Sequence, residues 1–400
     1  MSAPAGDTAD RAGKGADRLT PCRFEQGPIR PPSEARSLLV RVVRNCTWNR
    51  CAFCPVYKGT RPSQRSLEEI LADVDAMAAC AEVLRAHGLE ALRSGALPPE
   101  AYQVALFLHD GGRSVFLQDA DPWAVRPEKL AAVVRRVRER FPSVERVTTY
   151  GRARTLARRT PEQLALLAGA GLTRVHLGLE SGDDEVLAFV DKGCTAADLV
   201  AAGKGVLGAG MELCFYVMPG LGGRGWAAQH VEGTARVVRE VAAAAPQGDD
   251  GEPLHPLVVR LRTAAVVPGT PLARKAAAGE FELPDDVEVA RELRDLLLAF
   301  GEARLELRSD HALNLFPELE GSLPRDRGRL LALLDDYLAL PREEQALFAL
   351  GARLGVFRRL ADLGDPARRA LLLRELGGEG GLPPADEMLR VARDLRARFL

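Results

Sequence analysis

The stretch Cys46-Thr47-Trp48-Asn49-Arg50-Cys51-Ala52-Phe53-Cys54 places three of the chain's seven cysteines within nine residues. It follows the apolar run Leu38-Leu39-Val40-Arg41-Val42-Val43, which reads as a buried parallel strand. It precedes an amphipathic run from Ser66, where Ser66 and Glu69 make a capping box that starts a helix. The cysteines therefore occupy a loop at the carboxyl end of a strand, where barrel and open-sheet α/β enzymes place their chemistry. Three thiolates from one short loop can hold three irons of a cubane cluster and leave the fourth iron open to a small molecule. A zinc knuckle or a redox disulfide is the alternative. Structural zinc takes four ligands, commonly from two separated pairs. No second cysteine pair exists, and no histidine lies near this loop.

Beyond this loop, apolar strand-like runs alternate with amphipathic helical ones. Strands are predicted near 38–44, 114–117, 144–150, within 172–187, at 211–218 and at 257–267. Helices are predicted near 66–87, 127–140, 160–169 and 195–209, with another ending near 244. The alternation predicts an α/β fold with a parallel sheet. Residues 88–112, punctuated by Gly88, Gly95, Pro98, Pro99, Gly111 and Gly112, read as a helical insertion. This insertion and the segment around Asp310 are expected to line a substrate pocket.

The cysteine loop resembles that of the radical S-adenosylmethionine (radical SAM) superfamily. The family's usual first gap is three residues; here four separate Cys46 from Cys51, and the usual two separate Cys51 from Cys54. Phe53 matches the family's aromatic before the last cysteine, which packs near the adenine of SAM. The stretch Leu172-Thr173-Arg174-Val175-His176-Leu177-Gly178-Leu179-Glu180-Ser181-Gly182 is similar to the branch holding coproporphyrinogen dehydrogenases, methylthiotransferases and the elongator catalytic subunit.

The resemblance implies a partial (β/α)6 TIM-like barrel of parallel strands over residues 36–275. A disordered tail and extended lead-in over 1–35 and a C-terminal helical extension over 276–400 complete the expected domains. It implies that Cys46, Cys51 and Cys54 hold a 4Fe-4S cluster and that SAM is bound. Glu180 and Ser181 become candidates for the ribose or methionine end of SAM. Asp119 or Asp121 stands where the family has Gly-Gly-Glu, as acceptor for the SAM ammonium. Arg152, just past the third strand, can fork onto the SAM carboxylate. Val267 precedes Pro268-Gly269-Thr270-Pro271-Leu272, which resembles the final barrel motif flanking the adenine.

The implied reaction is one-electron cleavage of SAM to a 5′-deoxyadenosyl radical that abstracts hydrogen from a small-molecule or peptide substrate. A flavodoxin- or ferredoxin-like reductant would supply the electron. Two rivals stay open at this point: an iron–sulfur electron-transfer protein, and a zinc-binding interaction module. Asp310 and His311 form the polar constellation of the C-terminal region and are candidates for a proton donor or substrate contact, against the plainer reading of a helix cap and a partly buried histidine.

The net charge of -1 over 400 residues gives no nucleic-acid footprint. No apolar run reaches membrane-spanning length. The cysteine spacing is not that of a secreted disulfide framework, so a reducing cytoplasm is expected.

Overall fold

The computed structural model describes residues 22–249, 251–376 and 383–399. Strand β1 (Leu38–Arg41) enters the sheet, and a short antiparallel ribbon, β2 (Val43–Arg44) with β3 (Ser63–Gln64), brackets the cysteine loop. The remaining strands are β4 (Ser114–Gln118), β5 (Arg146–Gly151), β6 (Arg174–Glu180), β7 (Glu212–Val217), β8 (Leu257–Leu261), β9 (Leu305–Arg308) and β10 (Gly321–Leu323). They form one eight-stranded sheet in the order β1-β4-β5-β6-β7-β8-β9-β10. Every pair is parallel except β9 with β10. Each parallel neighbour is the next long strand in the chain, which is the order of a partial barrel. The fold is α/β.

The side-chain period of two sorts this sheet into two unlike faces. One face carries Leu38, Val40, Val115, Leu117, Val147, Val175, Leu177, Leu213, Phe215 and Val259, all buried under the helices. Among these helices, Leu67–His87 starts at the Ser66–Glu69 capping box, and Pro161–Ala170 starts at a Thr160–Gln163 box and ends on left-handed Gly171. The other face is polar and aromatic. Phe116, Tyr150, His176 and Tyr216 pack ring against ring across β4 to β7, with centroids 4.9 to 6.2 Å apart. Arg41, Cys214 and Arg260 share that face by register, and Glu180 joins them past a bulge in β6.

The lead-in is packed against the sheet. Residues 1–21 of the expected tail lie outside the described residues, but from Cys22 onward the chain is packed. Cys22 and Phe24 join the core, and Gln118 holds Gly27 through its side-chain amide, accepting from the Gly27 N–H at 2.9 Å. Glu34 is fully buried, its Oε1 3.5 Å from His176 Nε2. The charge of Glu34 needs this partner, and that need draws the segment onto the polar face.

Two expectations are corrected. The region 276–400 is not wholly helical, because β9 and β10 extend the sheet from it. The predicted sixth strand stops at Leu261 rather than 267. On the β9 side a side chain takes over from the strand as hydrogen-bond partner, Asn314 Nδ2 donating to the Leu261 carbonyl at 2.9 Å and its Oδ1 accepting from the Thr263 N–H at 3.0 Å, while on the β7 side the Arg262 N–H still donates to the Val217 carbonyl.

The insertion forms helices Glu90–Arg93 and Ala101–His109. Gln103 donates to the Ala35 and Ser37 carbonyls, just before β1. The insertion thus sits at the amino end of the sheet, away from the cysteine loop. No helix is long and apolar enough to cross a membrane among the described residues.

Candidate active site

The cysteine loop is docked by its non-cysteine residues. Trp48 Nε1 donates to the Asp191 carbonyl at 2.6 Å, and Arg50 Nε reaches Asp191 Oδ2 at 3.0 Å. The Ala52 N–H donates to the Val190 carbonyl at 2.7 Å. Gly193 lets Trp48 approach; a Cβ there would come within 2.4 Å of its ring. The wide first gap is closed by Asn49, at φ +51°, whose N–H points to Cys46 Sγ at 3.4 Å. The Asn49 side chain donates to the Tyr57 and Thr60 carbonyls.

Cys46, Cys51 and Cys54 are free and line one cavity of about 310 Å³ at the carboxyl ends of the strands. Phe53, Arg152, Glu180 and His311 line it too, as do Ile29 to Pro32 of the lead-in. Burial pushes the Cys51 thiol up to about 11, against the pull of Lys192. Among the described residues, no three Cys, His, Asp or Glu side chains close on a point suited to a single ion. The cysteines of a 4Fe-4S cluster each bind a different iron and have no need to do so. A cluster therefore fits the donor set: three thiols of one loop facing one cavity, with a cation beside them.

That cation, Lys192, was not singled out from sequence. Its Nζ lies 2.8 Å from Glu180 Oε1 and 5.8 Å from the centre of the Phe53 ring. Burial opposes its charge, but Glu180 and the Cys51 thiol outweigh burial and hold its pKa above the ordinary value. Glu180 sits at a bulge with φ +61°, which turns its carboxylate inward. Gly178 makes room for the pair, since a Cβ there would meet Glu180 Oε1 at 2.3 Å and Lys192 Nζ at 2.6 Å. Arg152 lies with its guanidinium 5.2 Å from the Trp48 ring centre.

The other candidates have different settings. Asp119 is fully buried and bound by Arg41, with Arg41 Nη2 at 2.6 Å from Oδ2. Burial raises its pKa against the opposing Arg41 charge. Asp121 is also fully buried and accepts from Thr155 Oγ1 at 2.7 Å, Thr47 Oγ1 at 3.2 Å and the Arg152 N–H at 3.3 Å. It pins the cysteine loop to the loop after β5. Neither carboxylate lines the cavity, and nor does Val267. Asp310 is paired with Arg260, while its neighbour His311 faces the cavity.

Ser181 is buried behind the cavity in a chain of contacts that sequence spacing could not reveal. Its Oγ is 2.9 Å from His230 Nδ1, and His230 Nε2 is 3.4 Å from Glu292 Oε1. Glu292 Oε1 also accepts from the Gly220 N–H at 2.7 Å. The chain ties the loops after β6 and β7 to helices Ala227–Ala243 and Asp286–Ala299. Burial holds His230 neutral down to about 4 and pushes Glu292 up to about 7.

Residues 40–236 match the family described as the Radical SAM superfamily. The heme chaperone HemW of Mycobacterium tuberculosis is 31% identical over 181 residues, 43% of this chain and 40% of the relative. The chain thus aligns with less than half the length of that curated relative. Among solved structures, coproporphyrinogen III oxidase (HemN) from Escherichia coli is similar at 17% identity and TM-score 0.40, over 66% of this chain and 52% of that one. The radical SAM methyltransferase TsrM from Kitasatospora setae is similar at 17% identity and TM-score 0.43, over 90% and 65%. Residues 40–236, just under half of the chain, are the part that is similar to the Radical SAM superfamily.

Proposed function

We propose that this chain is a radical SAM enzyme whose 4Fe-4S cluster is held by Cys46, Cys51 and Cys54. The observation that carries this reading is that all three thiols of the loop open into one cavity at the carboxyl ends of parallel strands. When bound, the cluster supplies the electron that cleaves SAM reductively, giving the 5′-deoxyadenosyl fragment that takes a hydrogen atom from substrate.

The chain's own residues orient SAM and exclude water. Glu180, held by Lys192, presents a carboxylate to ribose hydroxyls, and Arg152 meets the SAM carboxylate. Phe53 offers an apolar surface to the adenine. Asp121 positions the cysteine loop and Arg152 without touching SAM, and Ser181 buttresses the loop after β6. The lead-in from Ile29 to Pro32 closes one side of the cavity. An external flavodoxin- or ferredoxin-like protein supplies the reducing electron, in a cytoplasmic setting.

The test is anaerobic reconstitution with iron and sulfide, then incubation with SAM and dithionite. 5′-Deoxyadenosine is measured by chromatography for the wild type and for Cys51→Ala. Product from the wild type that is lost in Cys51→Ala supports the reading. An iron-loaded wild type that cleaves no SAM sinks it in favour of an electron-transfer protein, and zinc in protein taken directly from cells would favour the zinc module.

The likeness to HemW favours a second reading, haem binding. A shift of the haem absorption band on adding the protein is the measurement that decides it.

A further inference from the structure

The part of the cavity wall supplied by β7, the end of β8 and the segment after β9 has an unusual chemistry: its polar groups, Tyr216, Arg262 and His311, can all donate. Arg262 lies just past β8, and its guanidinium has neither an ion-pair nor a hydrogen-bond partner among the described residues, although its Nε is buried. The Tyr216 hydroxyl, from β7, is buried without a partner as well. His311 Nδ1 accepts the Leu313 N–H at 3.2 Å, so the ring carries its proton on Nε2. Burial, reinforced by the nearby Arg262 charge, holds this histidine neutral down to about 4. It is therefore a neutral donor at physiological pH.

A guanidinium Nε and a hydroxyl buried without partners are costly, so a bound group that satisfies them gains what the wall alone lacks. That group must accept several hydrogen bonds and carry negative charge. Two other cations of the cavity are engaged beside the cysteine loop, Lys192 with Glu180 and Arg152 over Trp48, and a third, Arg30, comes from the lead-in. Arg262 comes instead from the end of β8, beside Tyr216 and His311.

We infer that Arg262, Tyr216 and His311 form an oxyanion subsite that binds a carboxylate or phosphate group of the substrate, distinct from the end of the cavity that takes SAM. This rests on the radical SAM reading for the word substrate, but the subsite itself does not. Arg262 forks onto two anion oxygens, and Tyr216 and His311 Nε2 donate to the remaining lone pairs. The subsite fixes one end of the substrate so that the hydrogen to be abstracted faces the SAM end.

The experiment is calorimetric titration of the reconstituted protein, with SAM present, using glutarate, methyl phosphate and the neutral glutaramide as probes. Wild type, Arg262→Gln, Arg262→Lys and Tyr216→Phe are compared, and SAM affinity is measured for each. The expected result is binding of an anionic probe but not of glutaramide, weakened about tenfold or more by Arg262→Gln, less by Arg262→Lys, with SAM affinity unchanged. Preference between glutarate and methyl phosphate identifies the anion.

Three results overturn the inference: no saturable anion binding up to about 20 mM, equal anion binding by wild type and Arg262→Gln, or loss of SAM affinity in Arg262→Gln, which would give Arg262 to SAM. Deoxyadenosine is assayed in parallel. Its absence beside Arg262-dependent anion binding would refute the radical chemistry and leave the subsite standing.

Discussion

Replacing Glu292 by Gln should make the protein gain stability on the wild type as pH rises. Glu292 is 6% exposed, and burial raises its pKa from 4.5 to about 7 against the favourable Gly220 N–H bond. Between those values the folded chain keeps a proton that the unfolded chain has lost. Stability therefore falls as pH rises through this window, by about 1.4 kcal/mol per pH unit and roughly 3 kcal/mol in all.

His230 runs the other way. Its pKa falls from 6.5 to about 4, chiefly by burial, so the unfolded chain takes up a proton that the folded chain refuses. Its stability contribution is lost as pH falls from 6.5 towards 4. The two slopes oppose each other between about 4.5 and 6.5 and leave the wild type nearly flat there.

Glu292→Gln keeps a carbonyl oxygen for the Gly220 N–H and removes the ionisable group. The variant should gain roughly 2–3 kcal/mol on the wild type between pH 5 and pH 8. It should also expose the His230 slope, becoming steeply acid-sensitive below pH 6.5. Urea denaturation under anaerobic conditions, with both proteins reconstituted alike, measures the difference so that the cluster's own contribution cancels. A difference that stays constant from pH 5 to pH 8 would refute the burial argument.

Other perturbations give separate outcomes. Gly178→Ala should force Glu180 and Lys192 apart, since its methyl group would overlap both; SAM affinity, followed by calorimetry, should drop by roughly tenfold or more while the fold stays intact by circular dichroism. Asp121→Ala removes an acceptor shared by Thr47, Thr155 and the Arg152 N–H; a stability loss of about 2–3 kcal/mol in urea is expected, with poorer retention of iron. Asp286 is buried between Arg353 Nη2 at 2.5 Å and Arg396 Nη2 at 3.0 Å, so Asp286→Asn should cost about 3–5 kcal/mol by leaving two buried cations without a counter-charge. Those two arginines, and burial opposing them, hold the Asp286 pKa low, so its contribution persists above the ordinary carboxylate range and is lost only as acid protonates it.

The alternation of strands and helices is legible in the chain because hydrophobic period and caps are local. Ser66 with Glu69 and Thr160 before Pro161 mark helix starts that the structure places at Leu67 and Pro161. The cysteine loop is legible for the same reason, since its three cysteines lie within nine residues of one segment. Asp119 and Asp121 each read locally as a loop carboxylate, and each is turned inward by a cation or by hydroxyls from distant segments.

By itself, then, the sequence determined the α/β alternation, the position of the three thiols and the residue types that can meet SAM. Only the tertiary structure decided which of them share a cavity. Lys192 meets Glu180 because a bulge turns one residue and Gly178 clears the space. Arg262, Tyr216 and His311 meet because β7, β8 and the segment after β9 end on one rim. Residues 181, 230 and 292 touch because three elements pack there. Such contacts follow from long-range packing and the need to satisfy buried charge, and neither leaves a periodic trace along the chain.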